Sequence, residues 1–410
     1  MTTTGRHPTP AEATVGPLGG RDREPVLDVL RGFAVLGILL ANIEAFVDPG
    51  YLHQVREQHG LDALARQMAM FLVESKFYVL FAFLFGYGMA MQLARPSRSG
   101  SSRGARISRR LLLLFALGAV HGTLLFSGDI LMIYAIAGSL LYLMRHISPR
   151  RALQVAIGLL TMFTTMMLLA VLAGAGEESG DEPYLAARVL ANYRGGVGTV
   201  IGQRVEDLST IMSSWWTLIP IILAYFLIGL AAGKTGLLHK RRLSSRTLAR
   251  ACAIGLAVGL PPAAVFAFAS DGGGTWTLAM DGVGYLTAPA LTLAYVCALL
   301  LLGRTTVGAR VHTVLATTGR MALTNYLSQS VICALLFTGY GLALAGQIGH
   351  ATTHGIAVLI YLTQLAWSRW WLRRHNFGPV EWLLRSFTYL RWQQWRPATP
   401  TSAPAKPQSP

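Results

Sequence analysis

The sequence predicts an all-α fold, a polytopic integral membrane helix bundle of about ten transmembrane helices with both termini in the cytoplasm. Three observations predict it: an apolar composition, long apolar segments that recur along the chain, and basic residues that fall in alternate loops. Hydrophobic residues make up 53% of the 410 residues and charged residues only 13%, against roughly 45–50% and about 25% in soluble domains. Lipid is therefore the expected surroundings of most of the chain.

Apolar segments long enough to cross a bilayer follow one another along the sequence. A helix rises about 1.5 Å per residue, so about 18 apolar residues cross a hydrocarbon layer of about 30 Å, and lipid-exposed backbone must be helical to satisfy its hydrogen bonds. The third and fourth segments are short enough to form one re-entrant hairpin, although Ser127, Gly128 and Asp129 between them are typical of a tight outer turn. The predicted spans are residues 29–46, 71–93, 111–125, 130–144, 153–174, 214–232, 248–269, 278–302, 322–340 and 352–372.

Basic residues occur in every second loop. Arginines and lysines crowd the segments after the second, fourth, sixth, eighth and tenth spans, whereas the loop of residues 175–213 is acidic. Cytoplasmic loops of membrane proteins carry this excess, so these segments are expected in the cytoplasm of a multi-pass protein of the cell (plasma) membrane. The formal charge of +16 is accompanied neither by a basic surface interleaved with aromatic residues nor by a motif that recognises nucleic-acid bases. The predicted partner is therefore the lipid bilayer and not a nucleic acid.

The two ends of the chain differ from its centre. Residues 1–24 are rich in proline, glycine and charge, which predicts a disordered cytoplasmic N-terminus without a cleavable signal. Residues 25–392 form the predicted membrane domain, and residues 393–410 a disordered cytoplasmic tail. Cys252, Cys297 and Cys333 are odd in number and lie within spans, which indicates neither a disulfide framework nor a metal site.

Asp28 and Arg31 lie one helical turn apart where the first span leaves the cytoplasm. One interpretation is an i,i+3 ion pair at the membrane surface. The other is that Arg31, which can bind phosphate oxygens through two N–H groups, binds a phosphorylated donor that arrives from the cytoplasm.

Three polar residues of separate segments are expected at a similar depth toward the outer leaflet. Asn42 lies eleven residues after Arg31, about 16 Å deeper along the helix, His121 lies two-thirds of the way along the third span, and Asp129 follows its outer end. Polar groups in lipid are costly unless they are paired or used. The histidine is either a helix-to-helix hydrogen-bond partner or part of a functional site.

Two further polar groups have two interpretations each. Lys76, which follows Glu74 in the second span, is either an internal ion-pair partner or a charge that lines a channel. The ninth span carries a polar stripe behind Arg320 that either joins helices or lines a cavity. The stripe consists of Thr324, Asn325, Gln329 and Ser330.

Several segments resemble a known family. Residues 26–38, VLDVLRGFAVLGI, with Asn42 after them, closely resemble the opening of the YeiB-like membrane proteins (domain of unknown function 418). Four more segments resemble landmarks of that family and extend the resemblance from about Arg23 to Arg385: FAFLFGYG at 81–88, GAVHGTLLFSGDIL at 118–131, GRMALTNYLSQS at 319–330 and GPVEWLLR at 378–385. The C-terminal landmark region covers about residues 230–392.

The resemblance implies a function through a wider relationship. YeiB-like proteins are similar to membrane acyltransferases, among them acyltransferase family 3 and the heparan-glucosaminide acetyltransferases, which move an acyl group, usually from cytoplasmic acetyl-CoA, to a sugar or another hydroxyl or amine. The shared element is Leu-Asp-x-Leu-Arg-Gly at residues 27–32. This chain departs from acyltransferase family 3 at Asn42, where that family carries its catalytic histidine. Residues 25–392 are thus expected to be an acyltransferase-like domain with acetyl-CoA as a donor substrate and no tightly bound cofactor.

On this hypothesis each polar residue has a role. His121 is the candidate general base, Asp129 orients it, and Asn42 donates a hydrogen bond to the oxyanion. The remaining candidates bind substrates: Asp28, Arg31, Lys76 and Arg320 the donor, and Asn325, Gln329 and Ser330 the small-molecule or glycan acceptor. A transporter of a small solute is the alternative, and a non-catalytic scaffold is the third possibility.

Overall fold

The computed structural model describes residues 24–49, 59–94, 103–174, 182–239, 243–269 and 274–396. These residues form helices joined by turns and short loops, without a strand, so the predicted all-α fold is confirmed. The predicted disordered segments lie mostly outside them. The helices are α1 (Pro25–Val47), α2 (Gly60–Leu72), α3 (Lys76–Ala94), α4 (Arg103–Leu124), α5 (Leu131–Leu143), α6 (Pro149–Leu172), α7 (Glu182–Tyr193), α8 (Val197–Ser213), α9 (Trp215–Thr235), α10 (Ser245–Ala269), α11 (Gly274–Leu302), α12 (Thr306–Gly319), α13 (Ala322–Phe337), α14 (His350–Leu372) and α15 (Pro379–Tyr389).

Each predicted span coincides with a helical segment. By length and composition, seven segments of the described chain are able to cross a membrane: Pro25–Val47, Gly60–Ala94, Arg103–Leu124, Pro149–Leu172, Trp215–Thr235, Ser245–Phe268 and Leu278–Leu302. At the fourth and ninth predicted spans lie the shorter apolar helices α5 and α13. At the tenth, α14 has the length, 23 residues, but a more polar composition. The molecule is a polytopic membrane helix bundle.

The second span differs most from its prediction. Its helical segment begins at Gly60 rather than at residue 71, and it is interrupted between α2 and α3. Ser75 has φ of 65°, in the left-handed region that a non-glycine residue seldom adopts. An apolar run does not reveal a backbone break of this kind, because the side chains on both sides of it are apolar.

Helices also occupy segments that the sequence predicted as loops. The acidic outer segment contains α7 and α8, which Tyr193 and Asp207 join through a hydrogen bond of 2.6 Å from the hydroxyl to the carboxylate. On the other side of the bundle, α12 and α15 fill segments before the ninth and after the tenth predicted span. These helices are amphipathic or polar, so a search for long apolar runs passes over them.

Glycines bring several helix pairs into backbone contact. A Cβ atom at Gly32 or at Gly319 would lie about 2 Å from a backbone oxygen of the other helix in the α1–α12 pair. Gly86 of α3 and Gly229 of α9 make the same approach to each other's helices. Small residues at such contacts are typical of membrane bundles, in which close van der Waals packing drives association. They place α1, α3 and α12 around the site described next.

Candidate active site

His121 and Asp129 form a buried hydrogen-bonded pair, which is called the dyad below. His121 Nδ1 lies 2.8 Å from Asp129 Oδ1, and the two side chains are 1% and 0% exposed. The second carboxylate oxygen, Oδ2, accepts a hydrogen bond of 2.9 Å from the backbone N–H of Met132 in the first turn of α5. Both aspartate oxygens are thus held in place, and the carboxylate presents one of them to the imidazole.

The sequence around the dyad explains this geometry. His121 lies in the last turn of α4, and a short turn containing Gly128 leads back to Asp129 just before α5. At Gly118, one turn before the histidine, a Cβ atom would lie 2.6 Å from Asp129 Oδ2 and from the Met132 nitrogen. Glycine is therefore required there for α5 to begin beside α4. The predicted convergence of His121 and Asp129 is what the structure contains.

The other imidazole nitrogen is enclosed. His121 Nε2 is buried and has no hydrogen-bond partner among the described residues. The ring packs against two aromatic rings, with centroid distances of 5.1 Å to Tyr326 of α13 and 6.2 Å to Phe126. When an aspartate accepts the Nδ1 proton of a neutral imidazole, its Nε2 carries the lone pair, which is the arrangement of a general base.

A cavity of about 340 Å³ lies on the basic side of the bundle. Its mouth is polar and its inner wall is apolar and aromatic, with Phe81, Phe85, Tyr134 and Tyr326 among the lining residues. Helices α1, α3, α4, α5, α13 and α15 all contribute to it. Residues of this wall also belong to the predicted basic segments, so the positive-inside rule places the mouth at the cytoplasmic face.

Four arginines line this cavity: Arg31, Arg110, Arg320 and Arg385. Three carboxylates line it as well, but each has a partner. Asp28 accepts a hydrogen bond of 3.0 Å from Arg31 Nη1, Glu24 lies 2.7 Å from His239 Nδ1, and Glu381 binds the start of α13. Arginine is the side chain best suited to phosphate recognition, so the mouth is suited to a polyanionic ligand.

The cavity and the dyad share a wall. Tyr326 lines the cavity and also contacts the ring of His121, and Ile130, which lines the cavity too, directly follows Asp129 in the chain. The dyad itself does not line the cavity. A ligand bound in the cavity therefore lies one aromatic layer from the imidazole.

Asn42 lies on the face of α1 that carries Phe46. It precedes Phe46 by one helical turn, and Phe46 stacks on Phe126 at a centroid distance of 4.7 Å. Its side chain is half-buried, and the described residues show no hydrogen bond from it to His121 or Asp129. The structure thus brings Asn42 near the layer of the dyad without joining it to the pair.

Lys76 lies apart from the cavity. Its ammonium donates a hydrogen bond of 2.7 Å to the carbonyl of Met70 and lies 5.5 Å from the centroid of the Phe266 ring. The side chain is buried at the break between α2 and α3, where it satisfies a carbonyl that the interrupted helix leaves open. Lys76 does not line the cavity, so its role in donor binding stays a prediction.

The polar stripe of α13 joins helices. Asn325 donates hydrogen bonds to the carbonyl of Thr318 (3.1 Å) and to Ser368 of α14 (3.0 Å). Gln329 donates one of 2.7 Å to Gln364 of α14, which donates in turn to the Asn325 carbonyl at 2.9 Å. These contacts join helices, which is one of the two interpretations of the stripe; the other is that it lines a cavity. None of Asn325, Gln329 and Ser330 lines the cavity, so their acceptor-binding role stays a prediction.

Glu381 connects the two C-terminal landmarks. Its Oε1 accepts hydrogen bonds from the backbone N–H groups of Leu323 (2.7 Å) and Thr324 (3.1 Å), and its Oε2 accepts one from the Thr324 hydroxyl (2.5 Å). It therefore caps the N-terminus of α13 from α15. Burial raises the pKa of Glu381, against the opposing effect of these hydrogen bonds.

Sequence reasoning missed three members of the site. Tyr326 is an aromatic residue within the ninth predicted span, and Arg110 and Arg385 lie among the basic residues after the second and tenth predicted spans. Position is the signal that could have identified them. Tyr326 and Arg385 lie in the landmarks at residues 319–330 and 378–385, and Arg110 lies at the start of the third predicted span. The described residues contain no group of three His, Cys, Asp or Glu side chains able to hold a metal ion.

Comparisons with known proteins agree with the resemblance seen in the sequence. Residues 232–391 match the family model described as "Protein of unknown function (DUF418)". The chain is 32% identical over 400 residues to "Uncharacterized protein YxaH" of Bacillus subtilis (strain 168), a match that covers 91% of this chain and 96% of that protein. It is 31% identical over 388 residues to "Uncharacterized protein YeiB" of Escherichia coli (strain K12), with 90% and 96% covered.

Proposed function

The chain belongs to the DUF418 family of YeiB-like proteins, and from this premise we propose that it is a membrane-bound O-acyltransferase. It would move an acetyl or other short acyl group from cytoplasmic acyl-CoA to a hydroxyl of a sugar, a glycoside or an envelope glycan. One observation carries the proposal: an arginine-lined cavity on the basic side of the bundle ends one aromatic residue away from a buried histidine–aspartate dyad.

The donor is assigned to the cavity because of its charge and its shape. The phosphates of an acyl-CoA carry several negative charges, and the mouth supplies four arginine side chains, one of which, Arg31, also pairs with Asp28. The apolar inner wall, with Phe85 and Tyr134, suits the less polar acyl end. Bound in this way, the thioester points toward Tyr326 and the dyad.

The acyl transfer follows from the dyad. His121 Nε2 takes the proton of the acceptor hydroxyl as the hydroxyl oxygen attacks the thioester carbonyl carbon, and Asp129 stabilises the imidazolium that forms. The tetrahedral intermediate then collapses: the C–S bond breaks, the new C–O ester bond remains, and the imidazolium returns its proton to the leaving thiolate of CoA. Asn42 is assigned as a hydrogen-bond donor to the oxyanion.

Tyr326 is assigned as the gate between donor and base. Because His121 Nε2 is enclosed in this structure, the two substrates reach it only when a neighbouring side chain moves. Tyr326 is the side chain that touches both the cavity and the imidazole. Rotation of its ring would join the cavity to the dyad, and the ring in its present position would separate the thioester from the base until the acceptor is bound.

The location of the enzyme is proposed from its relatives. The matched proteins come from bacteria, and a bacterial multi-pass protein of this topology is expected in the plasma membrane. There the donor is available on the cytoplasmic side and an acceptor glycan on the other. We assign the dyad, which lies at the outer end of α4 and one aromatic residue from the cavity, to the position between these two supplies.

The experiment is a transfer assay with purified protein in liposomes, radiolabelled acetyl-CoA and a panel of sugars and glycosides. Labelled ester is expected, and Arg31→Gln or Arg320→Gln should raise KM for acetyl-CoA about tenfold with a smaller change in kcat. Arg188→Gln is the matched control, because Arg188 is an exposed arginine of α7, remote from the cavity. Unchanged kinetics in the cavity variants would contradict the assignment of the donor to this cavity.

A transporter is the second candidate function. Prolines lie inside three consecutive helices, Pro220 in α9, Pro261 and Pro262 in α10, and Pro289 in α11, which is favourable for bending during alternating access. The assay separates the candidates. If no acceptor yields labelled product while liposomes take up a solute in a way that His121→Ala abolishes, the transporter replaces the transferase.

A further inference from the structure

Helix α15 has two faces with different surroundings. One face lines the cavity through Glu381, Leu384, Arg385, Thr388 and Tyr389. On the other face Leu383 and Phe387 follow one another at i and i+4, with 40% and 38% of their surface exposed, and Leu390, directly after the helix, is 66% exposed. Within the described part of the chain this apolar stripe has no covering element. The wall of the cavity is thus the inner face of a helix whose outer face is apolar and uncovered.

The flanks of this stripe are basic and rich in tryptophan. Residues 367–396 contain six arginines and one acidic residue, Glu381, which is turned inward as the cap of α13. Three tryptophans of the same segment are exposed, Trp392 most of all at 79%. Arg374 lies 4.6 Å from the ring centroid of one of them, Trp370. The exposed arginines are Arg369, Arg373, Arg374, Arg391 and Arg396.

The segment is held together by contacts of its half-buried tryptophans. Trp371 donates a hydrogen bond of 2.9 Å to the carbonyl of Phe377, and Trp382 donates one of 2.9 Å to the carbonyl of Gln393. Trp395 packs edge-on against Trp382 at 4.8 Å. These contacts fold residues 390–396, including the first four residues of the predicted tail, back onto α15. The apolar stripe and the exposed arginines are therefore presented together.

We propose that residues 369–396, from the last turn of α14 through α15 to Arg396, bind anionic phospholipids of the cytoplasmic leaflet, and that the bound lipid holds the wall of the cavity in place. Apolar residues, interfacial tryptophans and an excess of arginine on one surface are the features that recognise anionic headgroups above acyl chains. An anionic lipid complements the positive charge of this surface, whereas a second copy of the same basic surface would repel it. The proposal does not depend on which reaction the dyad carries out.

The experiment measures the thermal stability of the purified full-length protein in a neutral detergent. Short-chain phosphatidylglycerol is titrated in, with phosphatidylcholine and soluble glycerol phosphate as comparisons. Phosphatidylglycerol should raise Tm by several degrees, the other two much less, and the rise should shrink between about 0.05 and about 0.5 M salt because the headgroup attraction is screened. In the Arg373→Gln/Arg391→Gln variant at least half of the rise should be lost.

The control variant is Arg150→Gln/Arg151→Gln, which removes two exposed arginines from the start of α6 and should keep the full rise. Equal rises with both lipids, a full rise in the Arg373→Gln/Arg391→Gln variant, or a full rise with glycerol phosphate alone would each overturn the proposal. A dimer that forms without lipid and that dissociates in the Leu383→Ser/Phe387→Ser variant would also overturn the proposal. If the arginine variant does not fold, the salt series on the natural protein decides, and a rise that salt leaves unchanged overturns the proposal.

Discussion

At the scale of single residues, the two oxygens of Asp129 have different partners. One oxygen orients His121 and the other holds the first turn of α5. The spacing of the sequence was enough to predict that these two residues meet, because both lie near the outer end of one helical hairpin. It was not enough to identify Tyr326, because an aromatic residue in an apolar helix has the same pattern whether it is a core residue or the wall between a cavity and a base.

Asp129→Asn is expected to lower kcat by about 100-fold or more while the protein stays folded, because the amide keeps the shape of the side chain but no longer fixes the tautomer or stabilises the imidazolium. The measurement is the acetyl-transfer rate at saturating acetyl-CoA. Glu206→Gln, at an exposed carboxylate of α8, is the control and should leave the rate unchanged. A fully active Asp129→Asn variant would contradict the role of the dyad.

Glu381 should make stability depend on pH. Its raised pKa means that the folded protein holds this proton more tightly than the unfolded chain does. This contribution to stability is present below the ordinary carboxyl pKa and is lost as pH rises through the raised value. From about pH 4 to about pH 8, Tm of the natural protein should therefore fall more than Tm of Glu381→Gln. Parallel Tm curves for the two proteins would show that the pKa is not raised.

At the scale of helices, glycines decide which elements touch. The α1–α12 pair depends on Gly32 and Gly319, which lie in the first and fourth of the sequence landmarks that resemble the family. The apolar pattern predicts a cytoplasmic loop where α12 lies, because a helix of 14 residues with few long apolar side chains has neither the length nor the composition of a span. Only the three-dimensional contact shows why these glycines are needed.

Gly319→Ala should destabilise the protein by about 2 kcal/mol or more, because the new methyl group would meet the backbone carbonyl of Asp28 at 1.8 Å and force α1 and α12 apart. Gly158→Ala is the matched control. No atom lies within 4 Å of a Cβ built there on α6, so the change should be neutral or stabilise the helix by roughly 0.5–1 kcal/mol. Unfolding in a denaturing detergent series measures both. Equal stability of the two variants would be evidence against the close helix contact.

At the scale of the whole molecule, the distribution of charge predicts the orientation in the membrane. A fluorescent protein fused after Pro410 should fold in the cytoplasm and fluoresce, and a periplasmic phosphatase inserted between residues 175 and 181 should be active. Both assays are made in intact cells. The opposite pattern would place the arginine-lined cavity outside the cell, away from any acyl-CoA, and would contradict the proposed donor site.

Much of the architecture could be predicted from sequence because lipid permits few backbone structures. Apolar run length located the ten helical segments, whereas the orientation that arginine placement indicates stays a prediction. The site was predictable only in part. Arg31, Arg320, His121 and Asp129 could be proposed from their type and depth, whereas the partners of Asn325 and Gln329 on α14 depend on helix rotation, which spacing does not determine.

The most direct test of the central claim is the acetyl-transfer rate of His121→Ala beside His146→Ala, the latter removing an exposed histidine on the cytoplasmic side of the bundle. Both proteins are reconstituted at equal amounts in the same liposomes, and labelled ester is counted. We expect His146→Ala to match the natural protein, whereas His121→Ala should give no product above the background without protein. Equal product from the two variants would contradict the claim that the buried dyad carries out the chemistry.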